Sequence, residues 1–315
     1  MEWRLYPCSE GAAIKVLRCS RPLSDGSDPL AVFLLCVSGE ADVAKKGRLN
    51  QISWQIQAAR QSYDNYASVS SLYVLSQATS VGGLVTTEEM KSLYKKATSS
   101  AKGSARSIYN QLLNATPNSI CPLCGQGRVG ALDHYLPQSA YPEYVVLPSN
   151  LVPACTDCNQ AKRAWFAKSA DDQILHPYFD NFSDDQWLHA KVIPGQSPAL
   201  RFYAAGPAHW SPVDRARVES HFKVFKLARL FTTHAGSELG SIRSHLVHEL
   251  KGDEDRIKDH LLEQANSRRA AFLNSWQTAM YVRMSTTKLN HIFTKNSSSK
   301  IRCSDIPPPH CPGAA

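Results

Sequence analysis

The chain has 315 residues, is 43% hydrophobic and 20% charged, and carries a formal net charge of +8 with a pI of about 9.0. That is the make-up of an ordinary globular protein with enough length for one large core or two modest ones. The longest apolar run, Leu30–Val37, is far too short to span a bilayer, so a membrane-crossing protein is excluded from the reading. Met1–Leu5 lacks a basic segment followed by an apolar stretch, so no signal peptide is expected and the protein is read as cytoplasmic. The positive charge suits a polyanionic partner, although many basic proteins bind none.

Residues 1–103 form a strand and helix region. Trp3–Tyr6, Ala13–Leu17 and Leu30–Val37 have strand character and are separated by Gly-, Pro- and Asp-rich turns. From Leu49 onward, Ile52, Ile56, Ala59, Tyr63 and Tyr66 keep helical spacing. Thr86-Thr87-Glu88-Glu89 predicts a capping box that opens a helix toward Ala97. A further helix, about Ser104 to Leu113, leads into the next region. Lys91, Lys95, Lys96, Lys102 and Arg106 make this approach basic, as a solvated surface or as a face that tracks phosphates.

The segment 104–185 carries the densest chemistry. Cys121-Pro122-Leu123-Cys124 and Cys155-Thr156-Asp157-Cys158 are two Cys-x-x-Cys turns. Two such turns present four thiolates to one tetrahedral Zn²⁺. Their separation, with 125–154 between them, is longer than the usual ~15–20 residues of zinc modules, so the closed loop must hold structure of its own. Disulfides, a redox pair or unrelated buried cysteines are the rival readings. Disulfides are rare in a reducing cytosol, and a redox motif needs a single pair. The remaining Cys8, Cys19, Cys36, Cys303 and Cys311 are odd in number and irregularly spaced, which argues against a disulfide framework. A filled Cys₄ site has no open position for substrate, so the zinc is a staple and any chemistry lies elsewhere.

Between the knuckles, Gly130–Pro137 reads as a short strand ending in a loop, Val145–Val152 as the returning strand, and Cys155 to about Ala167 as a helix. Leu132-Asp133-His134-x-x-Pro137, followed by Asn150-Leu151-Val152-Pro153-Ala154-Cys155-x-x-Cys158-Asn159-x-x-Lys162, resembles the HNH endonucleases, also called ββα-metal nucleases. The resemblance covers Ser119 to about Phe182. It implies a zinc-stapled ββα-metal core; with the strand and helix patterns on either side, the chain is expected to be an α+β protein in which that central core is flanked by an N-terminal α/β region and a C-terminal helical bundle.

The resemblance also implies roles. Asp133 and Asn159 would bind a catalytic Mg²⁺ or Mn²⁺ through oxygen, and His134 would be the general base. An imidazole with an ordinary pKa near 6.5 suits proton transfer at neutral pH. Asp133 and His134 are neighbours, so the strand must end or twist there for both to meet one phosphate. Asn150 would brace the hairpin, and Lys162 or Arg163 would face the scissile phosphate. The family often has a histidine where this chain has Asn159; an amide oxygen still serves Mg²⁺ and disfavours a softer ion. Taken singly, Asp133-His134 reads as a solvated turn, Asn159 as a helix cap and Lys162 as a surface charge; it is the set that points to catalysis.

His176-Pro177-Tyr178-Phe179-Asp180 resembles a segment in bacterial HNH proteins that work beside an ATPase in anti-phage defence of the Septu or retron type. It implies an ATPase partner chain, since this sequence has no Walker-type loop of its own. His176 is read either as packing under the zinc helix or as a contact near the phosphate site.

Residues 186–295 are expected to be a helical domain. Ser211-Pro212 with Asp214 predicts a capped start; Val218, Phe222, Phe225 and Leu230 form a first stripe, and Leu239, Ile242, Leu246 and Leu250 a second. A third helix is expected from Asp253 to Met284, with Phe272 and Trp276 read either as a contact for the partner or as core. Residues 296–315 are Ser- and Pro-rich and expected to be disordered; Cys303, His310 and Cys311 there are a remote metal-binding option. Three functions remain open: an endonuclease acting on DNA, the same fold cutting RNA such as a tRNA loop, and a zinc-stapled nucleic-acid-binding or adaptor module without catalysis.

Overall fold

A computed structural model describes residues 28–193 and 199–287. The expected strands Trp3–Tyr6 and Ala13–Leu17, and the expected disordered tail with Cys303, His310 and Cys311, lie outside the described residues. The protein is a mixed α+β structure, mostly helical, with three small two-stranded antiparallel sheets among the described residues.

The run expected as a third strand is instead helix α1, Pro29–Ser38. A short apolar run carries no period to separate strand from helix. Here the Asp28 carboxylate accepts from the Leu30 N–H at 3.0 Å and Pro29 occupies the first turn, which starts the helix. Phe33, Cys36 and Val37 then fall on one buried face. Helices α2, Val43–Gln51, and α3, Ser53–Ser68, follow. On the expected stripe, Ile52, Ile56 and Tyr63 are buried, whereas Tyr66 turns out to solvent at 40% exposure.

A small hairpin, β1 Ser80–Val81 and β2 Val85–Thr86, feeds α4, Thr87–Tyr94. The capping box forms as expected: the Glu89 N–H donates to Thr86 Oγ1 at 3.3 Å and the Thr86 N–H to Glu89 Oε2 at 2.9 Å. The helix then widens into a π-helical turn, Lys95–Ser99, before α5, Arg106–Leu113.

Strands β3, Ala131–His134, and β4, Leu151–Ala154, pair antiparallel with Asp133 opposite Val152 and His134 opposite Leu151. The returning strand therefore starts six residues later than the expected Val145. Pro142 and Pro148 open two 3₁₀ turns, Pro142–Tyr144 and Pro148–Asn150; proline's fixed φ and missing N–H favour such turns over a ladder. Helix α6 spans Thr156–Lys162, shorter than the expected run to Ala167. It stops because Arg163 adopts φ 49°, a left-handed conformation that breaks the hydrogen-bond ladder.

The C-terminal block is not purely helical. Strands β5, Leu188–Ile193, and β6, Ala199–Ala204, form a hairpin, with Leu188, Ala190, Leu200 and Phe202 buried on the side that packs on the helices. Helix α7, Pro212–Val224, starts at the expected Ser211 cap, and α8, Leu227–Ser244, runs into a second π-helical turn, His245–Glu249. The expected third helix is two, α9 Glu254–Ala271 and α10 Trp276–Ser285. The break frees Asn274 to act as a bracket. Its Oδ1 accepts from the Trp187 and Leu188 N–H groups at 2.8 and 3.1 Å, and its Nδ2 donates to the Phe182 and Asp185 carbonyls at 3.2 and 2.9 Å. An uninterrupted helix could not aim this amide at the hairpin.

One apolar core runs from Tyr63 through the four cysteines and β5–β6 to Met284. A second cluster joins α1–α4 to Val145 and Val146. Among the described residues no helix is long and apolar enough to cross a membrane.

Candidate metal centre and adjoining cleft

The first cysteine turn is closed by its own backbone. The Gly125 N–H donates to the Cys121 carbonyl at 2.8 Å, the Cys121 N–H to the Gly127 carbonyl at 2.7 Å, and the Gly127 N–H to Cys124 Sγ at 3.3 Å. Gly127 is required here, because a Cβ at that position would lie 2.6 Å from Cys155 Sγ. The second turn sits at the start of α6, where the Cys158 N–H donates to Cys155 Sγ at 3.5 Å.

These turns bring Cys121, Cys124, Cys155 and Cys158 together, all buried, with their sulfurs within 4.8 Å of one another. The Cys124 and Cys155 sulfurs are 3.8 Å apart. Four thiolates at the usual Zn–S distance of about 2.3 Å in a tetrahedron have edges of about 3.8 Å, so the donor set fits zinc.

The C-terminal helices grip this centre. His221 of α7 is buried, and its Nε2–H donates to the Leu123 carbonyl between the first two cysteines at 2.7 Å. Phe272 packs against Gly125. Trp276 is 6% exposed and stacks with His234, which fits the core reading of that position, while Phe272 is half-buried.

Burial, reinforced by the Arg217 charge and opposed by Leu123 and Asp180, pushes His221 from 6.5 down to about 4. Its Nδ1 is buried without a partner among the described residues, so a second proton finds no acceptor there. The unfolded chain takes up that proton near pH 6.5 and the folded chain only near 4, so stability falls as pH falls through this window. The loss is expected to be roughly 3 kcal/mol, and His221→Gln, which retains a donor for Leu123, should remove it. Urea midpoints of both proteins between pH 7 and 4.5 provide the check; parallel curves would contradict it.

Beside the metal centre lies an open cleft of about 340 Å³. Lys91 and Tyr94 of α4, Asp133 and His134 of β3, Gln138 and Ser139 of the following loop, and Asn159 and Arg163 at α6 line it. Strand β3 ends at His134, which lets both members of the Asp133–His134 pair reach one cavity.

His134 is 6% exposed, and its Nε2 lies 2.9 Å from the Val145 carbonyl. A carbonyl only accepts, so Nε2 carries the proton and Nδ1 keeps a lone pair. The expected ordinary pKa near 6.5 is corrected: burial, opposed by the Val145 hydrogen bond and reinforced by the Lys162 charge, pushes the imidazole down to about 4, which makes it neutral at pH 7. Burial pushes Asp133 up, opposed by Lys162, whose Nζ is 3.3 Å from Asp133 Oδ2. Lys162 is 2% exposed and also donates to the His134 carbonyl at 2.6 Å. The expectation that Lys162 faces a phosphate is thus corrected: it straps α6 to β3 inside the protein. Arg163, the other expected cation, is exposed and does line the cleft. Asn159 is half-buried, and its amide has no hydrogen-bond partner among the described residues.

Asn150 does not line the cleft but shapes it. Fully buried, it accepts from the Leu136 N–H at 2.7 Å and from Tyr63 Oη at 3.2 Å, and donates to the Leu136 and Tyr144 carbonyls at 3.1 Å each. This side chain ties the loop after His134 to Tyr63 and to the Pro142–Tyr144 turn. Asn150→Ala leaves several of these buried groups unpaired and is expected to cost roughly 3 kcal/mol or more, seen as a lower denaturant midpoint. A change below about 1 kcal/mol would refute the bracing role.

His176 is buried, stacks on Tyr135 at 4.2 Å and lies 3.0 Å from Tyr63 Oη through Nε2. It lines a minor crevice beside His221 and not the cleft, which agrees with the packing reading of the two offered by the sequence. Sequence reasoning missed Tyr94, Gln138, Ser139 and His221. Tyr94 closes an apolar helical stripe and reads as core, and none of the four carries a local signal.

The arrangement defines a class of site: a four-thiol metal centre whose second cysteine pair begins a helix that continues into a cleft with an Asp, a neutral His and an Asn. No protein-family model matches the chain, and no solved structure matches it. Among curated proteins it is similar to Protein ea31 of Escherichia phage lambda, with 35% identity over 172 residues. That match spans 53% of this chain and 58% of the phage protein, somewhat over half the length of each.

Proposed function

We propose that the protein is a metal-dependent endonuclease of the HNH type, hydrolysing phosphodiester bonds in DNA. The observation that carries the reading is the convergence of Asp133, His134 and Asn159 on one cleft, with His134 neutral and its Nδ1 lone pair unused. Nδ1 would take the proton of a water attacking phosphorus, while the Val145 carbonyl fixes the tautomer. Asp133 and Asn159 offer hard oxygen donors that fit Mg²⁺ or Mn²⁺, which binds few protein groups. Such an ion supplies Lewis-acid stabilisation of the phosphate and the leaving oxygen. Lys162, 3.3 Å from Asp133 Oδ2, opposes the upward push of burial on this carboxyl and fixes its position at the edge of the cleft. The four cysteines serve as the zinc staple under α6.

A role as the effector of a bacterial defence system, licensed by a separate ATPase, rests on the His176–Asp180 phrase and on the need to restrain a nuclease in its own cell. Incubation of the purified protein with supercoiled plasmid and with total tRNA in Mg²⁺ or Mn²⁺, alone and with the neighbouring gene's product, tests the reading. Metal-dependent plasmid nicking supports it. Cleavage of tRNA alone moves the substrate to RNA, and cleavage of neither, with or without the partner, ends it.

A further inference from the structure

We propose that α4, outside the segment that carries the active-site motif, is part of the same centre: Lys91 and Tyr94 bind a phosphate of the substrate strand beside His134. This inference rests on the nuclease reading and extends it to the grip on the nucleic-acid backbone.

Three features of α4 support it. Tyr94 sits at the end of the helix with its ring edge-on to the His134 imidazole, centroids 4.6 Å apart at 72°. It lines the cleft, and its hydroxyl has no hydrogen-bond partner among the described residues, although a half-buried phenol ordinarily finds one. Lys91 lies one turn earlier on the same face and lines the same cleft. Its Nζ is 2.8 Å from Glu88, whose side chain is 79% exposed, and such a surface pair is weak enough to be exchanged for a phosphate.

The helix also changes its winding at this point. The ladder passes from α to π at Lys95–Ser99, immediately after Tyr94. The π turn ends the helix, since Ser100 is extended, and leaves Tyr94 in its last α-helical turn. Arg163 stands in the same cleft from the end of α6, held at φ 49° where a non-glycine residue is strained. The cleft thus offers Lys91, Tyr94 and Arg163 as donors, with Asp133 as its acidic member. An ammonium and a phenol on one helical face suit the non-bridging oxygens of a phosphodiester.

The test measures affinity separately from cleavage. In a His134→Ala background, which blocks turnover, binding of a labelled duplex oligonucleotide is titrated at several salt concentrations, with the same duplex and total tRNA as cleavage substrates for the active protein. Lys91→Ala is expected to weaken binding about tenfold and to reduce the slope of log Kd against log salt by about one, the signature of one lost phosphate contact. Lys91→Arg should restore most of the affinity. Tyr94→Phe, which keeps the ring and removes only the hydroxyl, should raise KM several-fold more than it lowers kcat. Should Tyr94→Phe fold poorly, the surface substitution Lys91→Glu decides instead, with a still larger loss of affinity. An unchanged salt slope and KM in these variants, with wild-type cleavage intact, overturns the role of α4 and leaves the nuclease standing. A wild type that neither binds nor cuts either nucleic acid removes both.

Discussion

His134→Ala is expected to lower phosphodiester cleavage by about 10²–10⁴-fold, the usual cost of losing a general base. The geometry makes the loss specific. The Val145 carbonyl holds the proton on Nε2, so no other atom of the ring competes with Nδ1 as the base. Removing the ring also strands that buried carbonyl, which costs roughly 1–3 kcal/mol of stability. His134→Gln keeps an N–H for Val145 and serves as the partner variant; it should recover stability and not activity. Single-turnover cleavage with thermal melts on both variants checks this. Cleavage by His134→Ala at the wild-type rate would place the base elsewhere and dismantle the proposed centre.

Cys155→Ser is expected to abolish stoichiometric zinc and to unfold the core as a unit. Structural zinc contributes about 10–16 kcal/mol in small zinc modules, comparable to or larger than the roughly 5–15 kcal/mol that holds a whole domain together. In this protein the sulfurs lie inside the apolar core that runs from Tyr63 to Met284. Loss of the ion therefore removes the floor under α7 and Phe272 as well as the β3–β4 hairpin. Elemental analysis should find one zinc per wild-type chain. Protein that melts normally with no metal, or a Cys155→Ser variant with native circular dichroism and an unchanged midpoint, would contradict the staple.

Part of this architecture is legible in the sequence. The two cysteine turns announce a metal centre because thiolate spacing is local chemistry. The Thr86 box and the Ser211 cap announce helix starts because capping is settled within four residues. The Asp133–His134 pair and Asn159 stand out through their order and spacing in a cysteine frame. What escaped was decided at a distance. Leu30–Val37 has no period, and only the Asp28 cap and its burial face make it a helix. Lys162 reads as a surface charge because its partners, Asp133 and the His134 carbonyl, are far away in sequence. The break at Asn274 answers to a hairpin some 85 residues earlier, as its bonds to Trp187 and Leu188 record. Tyr94 looks like an ordinary core aromatic until the fold lays it against His134.

Helix α6 is only seven residues long, and both of its ends are committed. Cys155 and Cys158 anchor its first turn in the metal centre, while Asn159, Lys162 and Arg163 serve the cleft from its last. Cys158 and Asn159 are adjacent, so no slack exists between staple and site. One residue inserted between them would swing everything downstream by about 100° around the helix axis. Asn159 would then leave the cleft and Lys162 would leave Asp133, with every cysteine still in place. In descendants of this chain, length changes should therefore accumulate in the exposed connections and be absent from Cys155 to Arg163, whatever happens to the surrounding sequence.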